Sequence, residues 1–239
     1  MGELVELLKS SNKTVVLTGA GISTASGIPD FRSPGTGLWQ RMDPNVLSVE
    51  TLTSEPEKFY QHCIEIFTPI LKAEPNSGHY ALAKLEALGY VKTIITQNID
   101  GLHQKAGAKE VLEVHGHLRT GFCVKCLKEI PLTVLLQRVK EGEIPPRCPR
   151  CGGIMRPNVV LFGDYLPDDF IQAQREVASS TLLLVIGSSL EVWPVNTLPS
   201  LAANLAIINL TPTGYDPVAR VAIHAEASAV LTAVAAELA

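Results

Sequence analysis

No apolar run in this 239-residue chain approaches the roughly 20 residues that a membrane-spanning helix needs. The longest, TLLLVIG at 181–187, is strand-sized. The N-terminal MGELVELLKSSNK breaks its apolar stretch with acids and holds no h-region, so a secretory leader is not expected. Basic excess is missing too. Twenty Lys and Arg face 24 Asp and Glu, and a net charge of −4 argues against general nucleic-acid binding. There is no internal repeat and no low-complexity tract. Cysteine is scarce at five, and four of the five fall in two C-x-x-C pairs. Without an export signal that pattern favours metal over disulfides, and the expected location is cytoplasmic. What remains, 46% hydrophobic and 18% charged, is an ordinary globular composition with enough chain for a substantial core.

Short apolar runs alternate with helix-like stretches. TVVLT (14–18), VKTIIT (91–96), VLEVH (111–115), NVVLF (158–162), TLLLVI (181–186) and LAIINL (205–210) read as buried strands. Segments 55–73, 77–89 and 168–180 read as helices between them, and SAVLTAVAAELA (228–239) as a closing amphipathic helix. The rhythm predicts an α/β fold, a Rossmann-like doubly wound parallel sheet. Residues 34–74 and 118–155 fall outside it. They are expected to form a smaller helical and zinc-binding domain from two insertions, leaving 1–33, 75–117 and 156–239 as the larger one. The strand ends carry polar clusters: GAG, QNID, HG, GSS and LTPT. Open α/β sheets bind ligands outside the carboxyl ends of their strands, so one crevice built from distant segments is expected.

The cysteines read Cys123-Val-Lys-Cys126, 21 residues, then Cys148-Pro-Arg-Cys151-Gly-Gly. Two such hairpins can place four thiolates tetrahedrally around zinc, and four sulfur ligands leave no open position for water. The site is therefore structural. A redox dithiol and free buried thiols are the rival readings. Lys125, Lys128, Arg147 and Arg150 keep nucleic acid open as a contact of this module, but a solvated basic face is the simpler reading. Cys63, alone in a helix, reads as a small core residue.

After the first strand, GAGISTASGIPDFR begins as a dinucleotide loop. Gly19 and Gly21 allow a tight turn and close approach to a diphosphate. Thr24 then stands where a third glycine belongs, and no acid follows a strand about 20 residues on, which disfavours a plain dehydrogenase. Gln97-Asn98-Ile99-Asp100, at the end of the second strand, suits a carboxamide ligand such as the nicotinamide end of NAD. An Asx turn capping the next helix would explain it equally well.

GAGIS-x(4)-GIPDFR, TQNID, a strand ending in His-Gly, the two cysteine pairs, RPNVVLFGD, GSSL and a late strand ending in Asn occur in this order. The set resembles the sirtuin family, the NAD-dependent protein-lysine deacylases, from about residue 14 to 226, and its compact form is similar to bacterial members. The resemblance implies NAD as co-substrate, one structural zinc and acetylated lysine of proteins or peptides as substrate, with no membrane or direct nucleic-acid partner. It leaves the oligomeric state open. It implies that Phe31 covers the ribose face after nicotinamide leaves, that Arg32 lies near the phosphates, that Ala20 and Ser23 line the pocket and that Asp30 orders the loop. Ile99 and Asp100 would hold the carboxamide and Asn98 the reacting ribose. Gly187, Ser188 and Ser189 would take ribose and phosphates, Asn209 the adenosine ribose, and Glu226 the adenine.

The implied reaction begins with attack of the acyl oxygen on the ribose carbon as nicotinamide departs, giving an alkylimidate. His115 then takes a proton from a ribose hydroxyl, and O-acetyl-ADP-ribose and free lysine are released. An imidazole is suited to that task by its ordinary pKa near 6.5. Of the other histidines, His79 and His103 read as structural, and His62, His117 and His224 lack the motif. Val159, Val160, Leu161, Phe162 and Gly163 are expected to receive the peptide by β-augmentation, with Val160 and Phe162 bordering the acyl-lysine tunnel. Succinyl-selective relatives carry Tyr-x-x-Arg in the first small-domain helix. Here Tyr60-x-x-Cys63 cannot hold an anion, so deacetylation is expected above desuccinylation. ADP-ribosyl transfer, longer acyl groups, and a zinc-ribbon binding module without turnover are the alternatives.

Overall fold

The computed structural model describes residues 1–31, 35 and 37–239. Helix α1 (Gly2–Ser10) leads into β1 (Thr14–Thr18). After short 3-10 turns come α2 (Val49–Ser54), α3 (Pro56–Lys72), α4 (Ser77–Ala87), β2 (Thr93–Thr96), α5 (Leu102–Lys105) and β3 (Val111–Glu113). Next are β4 (Gly116–Cys123), β5 (Glu129–Pro131), α6 (Leu132–Lys140) and β6 (Met155–Val159). The chain closes with α7 (Asp168–Ala178), β7 (Leu182–Ile186), β8 (Leu205–Ile208), β9 (Val221–Ile223) and α8 (Ala227–Glu237).

Six strands form one sheet in the order β3-β2-β1-β7-β8-β9, every neighbour parallel. Its central strands are buried at every residue because both faces are covered. Val16, Ile94, Leu184 and Ile208 point to one core, shared with Leu4 and Leu8 of α1, Leu82 of α4 and Leu231 of α8. Val15, Leu17, Ile95, Val185 and Ile207 point the other way, onto Ala173 and Val177 of α7 and onto Val195 and Leu198. The two sets interleave along each strand with a period of two. The expected Rossmann-like parallel sheet is present, and α8 closes it.

The second sheet is antiparallel, β5-β4-β6. Its core joins Phe59, Tyr60, Cys63 and Phe67 of α3 to Leu132, Leu135, Leu136 and Val139 of α6. Two sequence expectations change here. The run at 158–162 is not a strand of the parallel sheet. Its first part belongs to β6, which pairs with β4, and residues past Val159 leave regular structure. The buried aliphatics that suggested a parallel strand face the small core instead: Val159 and Leu161 are buried and Phe162 is exposed. His115 does not end a strand; it sits in a two-residue turn between β3 and β4. β9, three residues long with an exposed centre, completes the parallel sheet. The strands β4 and β6 also run across the sequence-based domain limits at 117/118 and 155/156.

Candidate active site

The order of the large sheet reverses between β1 and β7, and ligands of open parallel sheets lie outside the strand ends at such a point. Glycines of both loops meet there. Gly19 N donates to Ile186 O at 3.0 Å and Gly21 N to Gly187 O at 2.9 Å. A Cβ on Gly19 would stand 2.7 Å from Gly187 O, and one on Gly21 would stand 2.7 Å from Gly187 Cα. Gly187 itself has φ +61, and a Cβ on it would fall 2.5 Å from Ile22 N. Three glycines thus close backbone to backbone, a contact no side chain could share. Thr24 shows why the third glycine of a hydride-transfer loop is absent. The chain continues from Gly21 into 3-10 turns rather than a long helix, so there is no helix to pack on the strand, and Thr24 Oγ1 donates to Gly21 O at 3.0 Å.

A cavity of about 1130 Å³ opens over these glycines. At the end of β2, Gln97 Nε2 donates to Ser188 Oγ at 2.9 Å. Asn98 Nδ2 donates to Gly19 O and to Ser23 Oγ, both at 3.1 Å, and Ser23 Oγ donates to Asp100 Oδ2 at 2.7 Å. Asp100 Oδ1 accepts Leu102 N at 2.9 Å, so one oxygen makes the Asx turn and the other enters the cleft network. Burial pushes the Asp100 carboxyl above its ordinary pKa, and the bonds from Leu102 and Ser23 offset only part of that. Behind this chain, His79 Nδ1 accepts Asn76 N at 3.3 Å in the capping box of α4, which leaves Nε2–H to face Ser23 Oγ at 3.4 Å. His103 Nε2 lies 2.9 Å from Thr18 Oγ1. Burial lowers these two histidines to about 4 and about 3, as suits neutral structural rings.

His115 reaches the cavity from the turn after β3. Its Nδ1 lies 3.0 Å from Gln97 O. A carbonyl only accepts, so Nδ1 carries the proton and Nε2 holds the lone pair. Burial lowers the His115 pKa, and the Gln97 carbonyl partly opposes this by favouring the cation. The following Gly116, φ +74, is pressed on β6; a Cβ there would stand 2.4 Å from Asn158 O. Val160 N donates to His115 O at 2.9 Å, which ties the expected substrate segment to this turn. Val159 through Gly163 all line the cavity.

Ala20, Asp30, Phe31, Ile99, Ser189, Asn209 and Glu226 are also cavity residues. Phe31 stacks on Trp39 with ring centroids 5.1 Å apart, and Trp39 meets Phe162 at 6.4 Å. Glu226 caps α8, accepting Ser228 N and Ala229 N at 3.2 and 3.0 Å. Asn209 Nδ2 donates to Thr211 O at 2.8 Å. Arg32 lies outside the described residues. Tyr60 and Cys63 do not reach the cavity. Both are fully buried in the small core, where Tyr60 Oη donates to Met155 O and burial raises the Cys63 thiol well above its ordinary pKa. The wall that α3 presents is Phe67 and Ile70. Helical spacing points them there, seven and ten residues after Tyr60, and that offset was available to the sequence reading. Trp39, Tyr165 and Trp193 complete the rim without a sequence signal beyond their nearness to the motifs.

Away from the cleft, the sulfurs of Cys123, Cys126, Cys148 and Cys151 lie within 4.8 Å of one another. Cys123 Sγ and Cys151 Sγ are 3.5 Å apart, and Cys126 Sγ and Cys148 Sγ 3.7 Å. Tetrahedral zinc with Zn–S bonds of about 2.3 Å needs sulfurs roughly 3.8 Å apart, so the set fits. Lys125 N points at Cys123 Sγ at 3.4 Å, and a Cβ on Gly153 would stand 2.8 Å from that sulfur. The residues after each pair, Leu127 and Gly152, are both left-handed, at φ 58 and 71.

A profile described as the Sir2 family matches residues 19–194. An NAD-dependent protein deacetylase 2 of Caldanaerobacter subterraneus subsp. tengcongensis is 56% identical over 224 residues, 93% of this chain and 90% of that protein. An NAD-dependent protein deacetylase of Thermotoga maritima is 42% identical over 224 residues, covering 92% and 90%. Among solved structures, a Sir2 complex with a peptide and NAD+ superposes with a TM-score of 0.92 at 39% identity, covering 99% of this chain and 98% of that one. Sir2 bound to an acetylated peptide superposes at 0.91 and 38%, with the same coverage.

Proposed function

The chain belongs to the Sir2 family, and from that premise we propose how its cleft works. The protein is an NAD-dependent protein-lysine deacetylase acting on acyl-lysine peptides. The observation that carries the residue roles is the convergence of three features on one cavity. These are the closed glycine floor, the Asn98–Ser23–Asp100 chain, and His115 with Nε2 unprotonated.

NAD supplies the chemistry through a nicotinamide–ribose bond whose cleavage leaves an electrophilic ribose carbon. Gly19, Gly21 and Gly187 let the backbone approach the diphosphate, with Ala20, Ser188 and Ser189 beside them. Gln97 is held to Ser188 and carries the His115 tether on its carbonyl. Ile99 and Asp100 receive the carboxamide, and Asn98, fixed by Gly19 O and Ser23, stands toward the reacting ribose. Asn209 and Glu226 border the adenosine end. Phe31 covers the ribose face once the base has left, and Asp30 orders its loop. His115 takes the ribose proton on Nε2. Burial keeps it neutral and ready, and Gln97 O stabilises the charge it gains. Val159 to Gly163 receive the peptide.

We assign 1–33, 75–117 and 156–239 to NAD binding and 34–74 with 118–155 to the small domain, with β4 and β6 shared across the limits, and Cys123, Cys126, Cys148 and Cys151 hold a structural zinc. The cytoplasm is the proposed location.

The test is to incubate the protein with an acetyl-lysine peptide, with and without NAD, and to follow all products by mass spectrometry. Deacetylated peptide, nicotinamide and O-acetyl-ADP-ribose should form in equal amounts and only with NAD. His115→Ala should lose at least about 10²-fold in rate, the lower range of general-base catalysis. Nicotinamide release without deacetylation would replace this reading with ADP-ribosyl transfer or another acyl group.

A further inference from the structure

The motif RPNVVLFGD carries two charges with no task in the reaction, Arg156 and Asp164. Arg156 lies on β6 opposite Phe122, one step from the pair Met155–Cys123 that leads to the sulfur cluster. It is 6% exposed, with its guanidinium 5.5 Å from the Phe122 ring centroid. The guanidinium forks on Asp164, Nη1 to Oδ1 at 3.0 Å and Nη2 to Oδ2, and Nη2 also donates to Val159 O at 2.8 Å. Asp164 Oδ2 accepts Leu161 N at 2.8 Å, and Asp164 N donates to Leu161 O at 3.0 Å. Gly163 between them has φ +96. The i to i+3 bond with a left-handed glycine in third place is the signature of a type II turn. Asp164 therefore closes the turn 161–164 twice, once with its backbone and once with its side chain.

The backbone of this segment has few groups to spare. Val160 N goes to His115 O, Leu161 N to Asp164, Phe162 N to Leu47 O, and Phe162 O receives Val49 N. Among the described residues, Val160 O and both polar groups of Gly163 have no partner. These are the groups that an extended peptide can pair with. A buried ion pair is a weak source of stability, and fixing register is its best-attested use.

We propose that Arg156 and Asp164 are a positioning pair that holds Val160 O and Gly163 in register for the acyl-lysine peptide. The inference rests on the deacetylase reading and adds to it a pair whose bonds go to each other and to the backbone of the substrate segment.

The experiment compares Asp164→Asn, Asp164→Glu and the double variant Arg156→Met with Asp164→Asn, each checked for folding by thermal melting and for zinc content. The double variant removes both charges, so no unpaired buried ion is left to unfold the chain. Asp164→Asn and the double variant should raise KM for an acetyl-lysine peptide by about tenfold or more, with kcat at saturating peptide within about twofold and the Kd for NAD unchanged. Asp164→Glu, which keeps the charge, should recover much of the loss. Anisotropy of a labelled acetyl peptide should give the same ranking without turnover. A folded double variant with wild-type peptide KM overturns the proposal, as does a Kd for NAD that weakens in step. A wild type that binds peptide in the expected ranking but consumes no NAD overturns the deacetylase reading and leaves the positioning role standing. A wild type that does neither overturns both.

Discussion

At His115 the chemistry depends on which nitrogen holds the proton. Gln97 O fixes Nδ1–H, so Nε2 is basic by elimination rather than by a special environment. Burial then sets the pH range. It disfavours the imidazolium, so the folded ring loses its proton below the ordinary histidine value of about 6.5. A general base works in its neutral form. Activity should therefore be full at neutral pH and fall only as pH drops through the lowered pKa. The acid limb of kcat/KM, measured from pH 4.5 to 8, should have its midpoint below about 6.5. A midpoint above that value would show that another group limits the rate. His79 and His103 also titrate low, but their nitrogens face Ser23 and Thr18. His117, half-buried and two residues away from His115, is lowered chiefly by burial and then by Arg119, and it is absent from the cavity. The sequence reading singled out His115 by its motif. Geometry adds the reason that His79, His103 and His117 do not compete.

Among the secondary-structure elements, α3 is the one we propose to select the acyl group. Its cavity face is Phe67 and Ile70, and among the described residues the lining holds no lysine or arginine. Acids are present instead, Asp30, Asp100, Asp164 and Glu191 among them. A succinyl carboxylate placed against Phe67 and Ile70 would be desolvated, at a cost of several kcal/mol. Deacetylation should exceed desuccinylation by at least about 10²-fold in kcat/KM, read on matched peptides. The sequence led to the same preference through Tyr60 and Cys63, and the structure places both in the small core. The preference stands on different residues of the same helix.

Legibility of the other elements follows their burial. β1, β2, β7 and β8 are buried at every residue and read directly as apolar runs. β9 has three residues with an exposed centre, and no pattern that short is distinctive. β4 alternates exposed and buried positions and carries His117, Arg119 and Thr120, so it lacks an apolar run. β6 was misplaced because its apolar end, Val159, continues into Val160 and Leu161. Pairing with β4 is a long-range fact that local pattern does not contain. The loop at 19–32 was legible as a nucleotide site from its glycines. That Gly187, just past the end of β7, closes on Gly21 was not.

On the scale of the whole molecule, two kinds of core meet at one cleft. The parallel sheet buries apolar side chains on both faces and carries the glycine floor, Gln97, Ser188 and Asn209. The small core is a thin layer in which Cys123 and Cys148 are themselves buried members. Removing zinc would leave four close thiols without their centre and would take two residues out of that layer. The parallel sheet shares none of those contacts. With a strong chelator, melting should resolve a lower transition from the small core and an upper one from the sheet, in place of one cooperative transition. NAD at about 100 times its Kd should stabilise its binding unit by about 2.7 kcal/mol and move the upper transition alone. Peptide binding should disappear with the lower transition, because β6 feeds directly into Val160 and the turn at 161–164. Calorimetry with chelator, and with chelator plus NAD, reads all three. A single transition that shifts as a whole would mean that the two cores fold as one unit and that the zinc stabilises the nucleotide site as much as the peptide site.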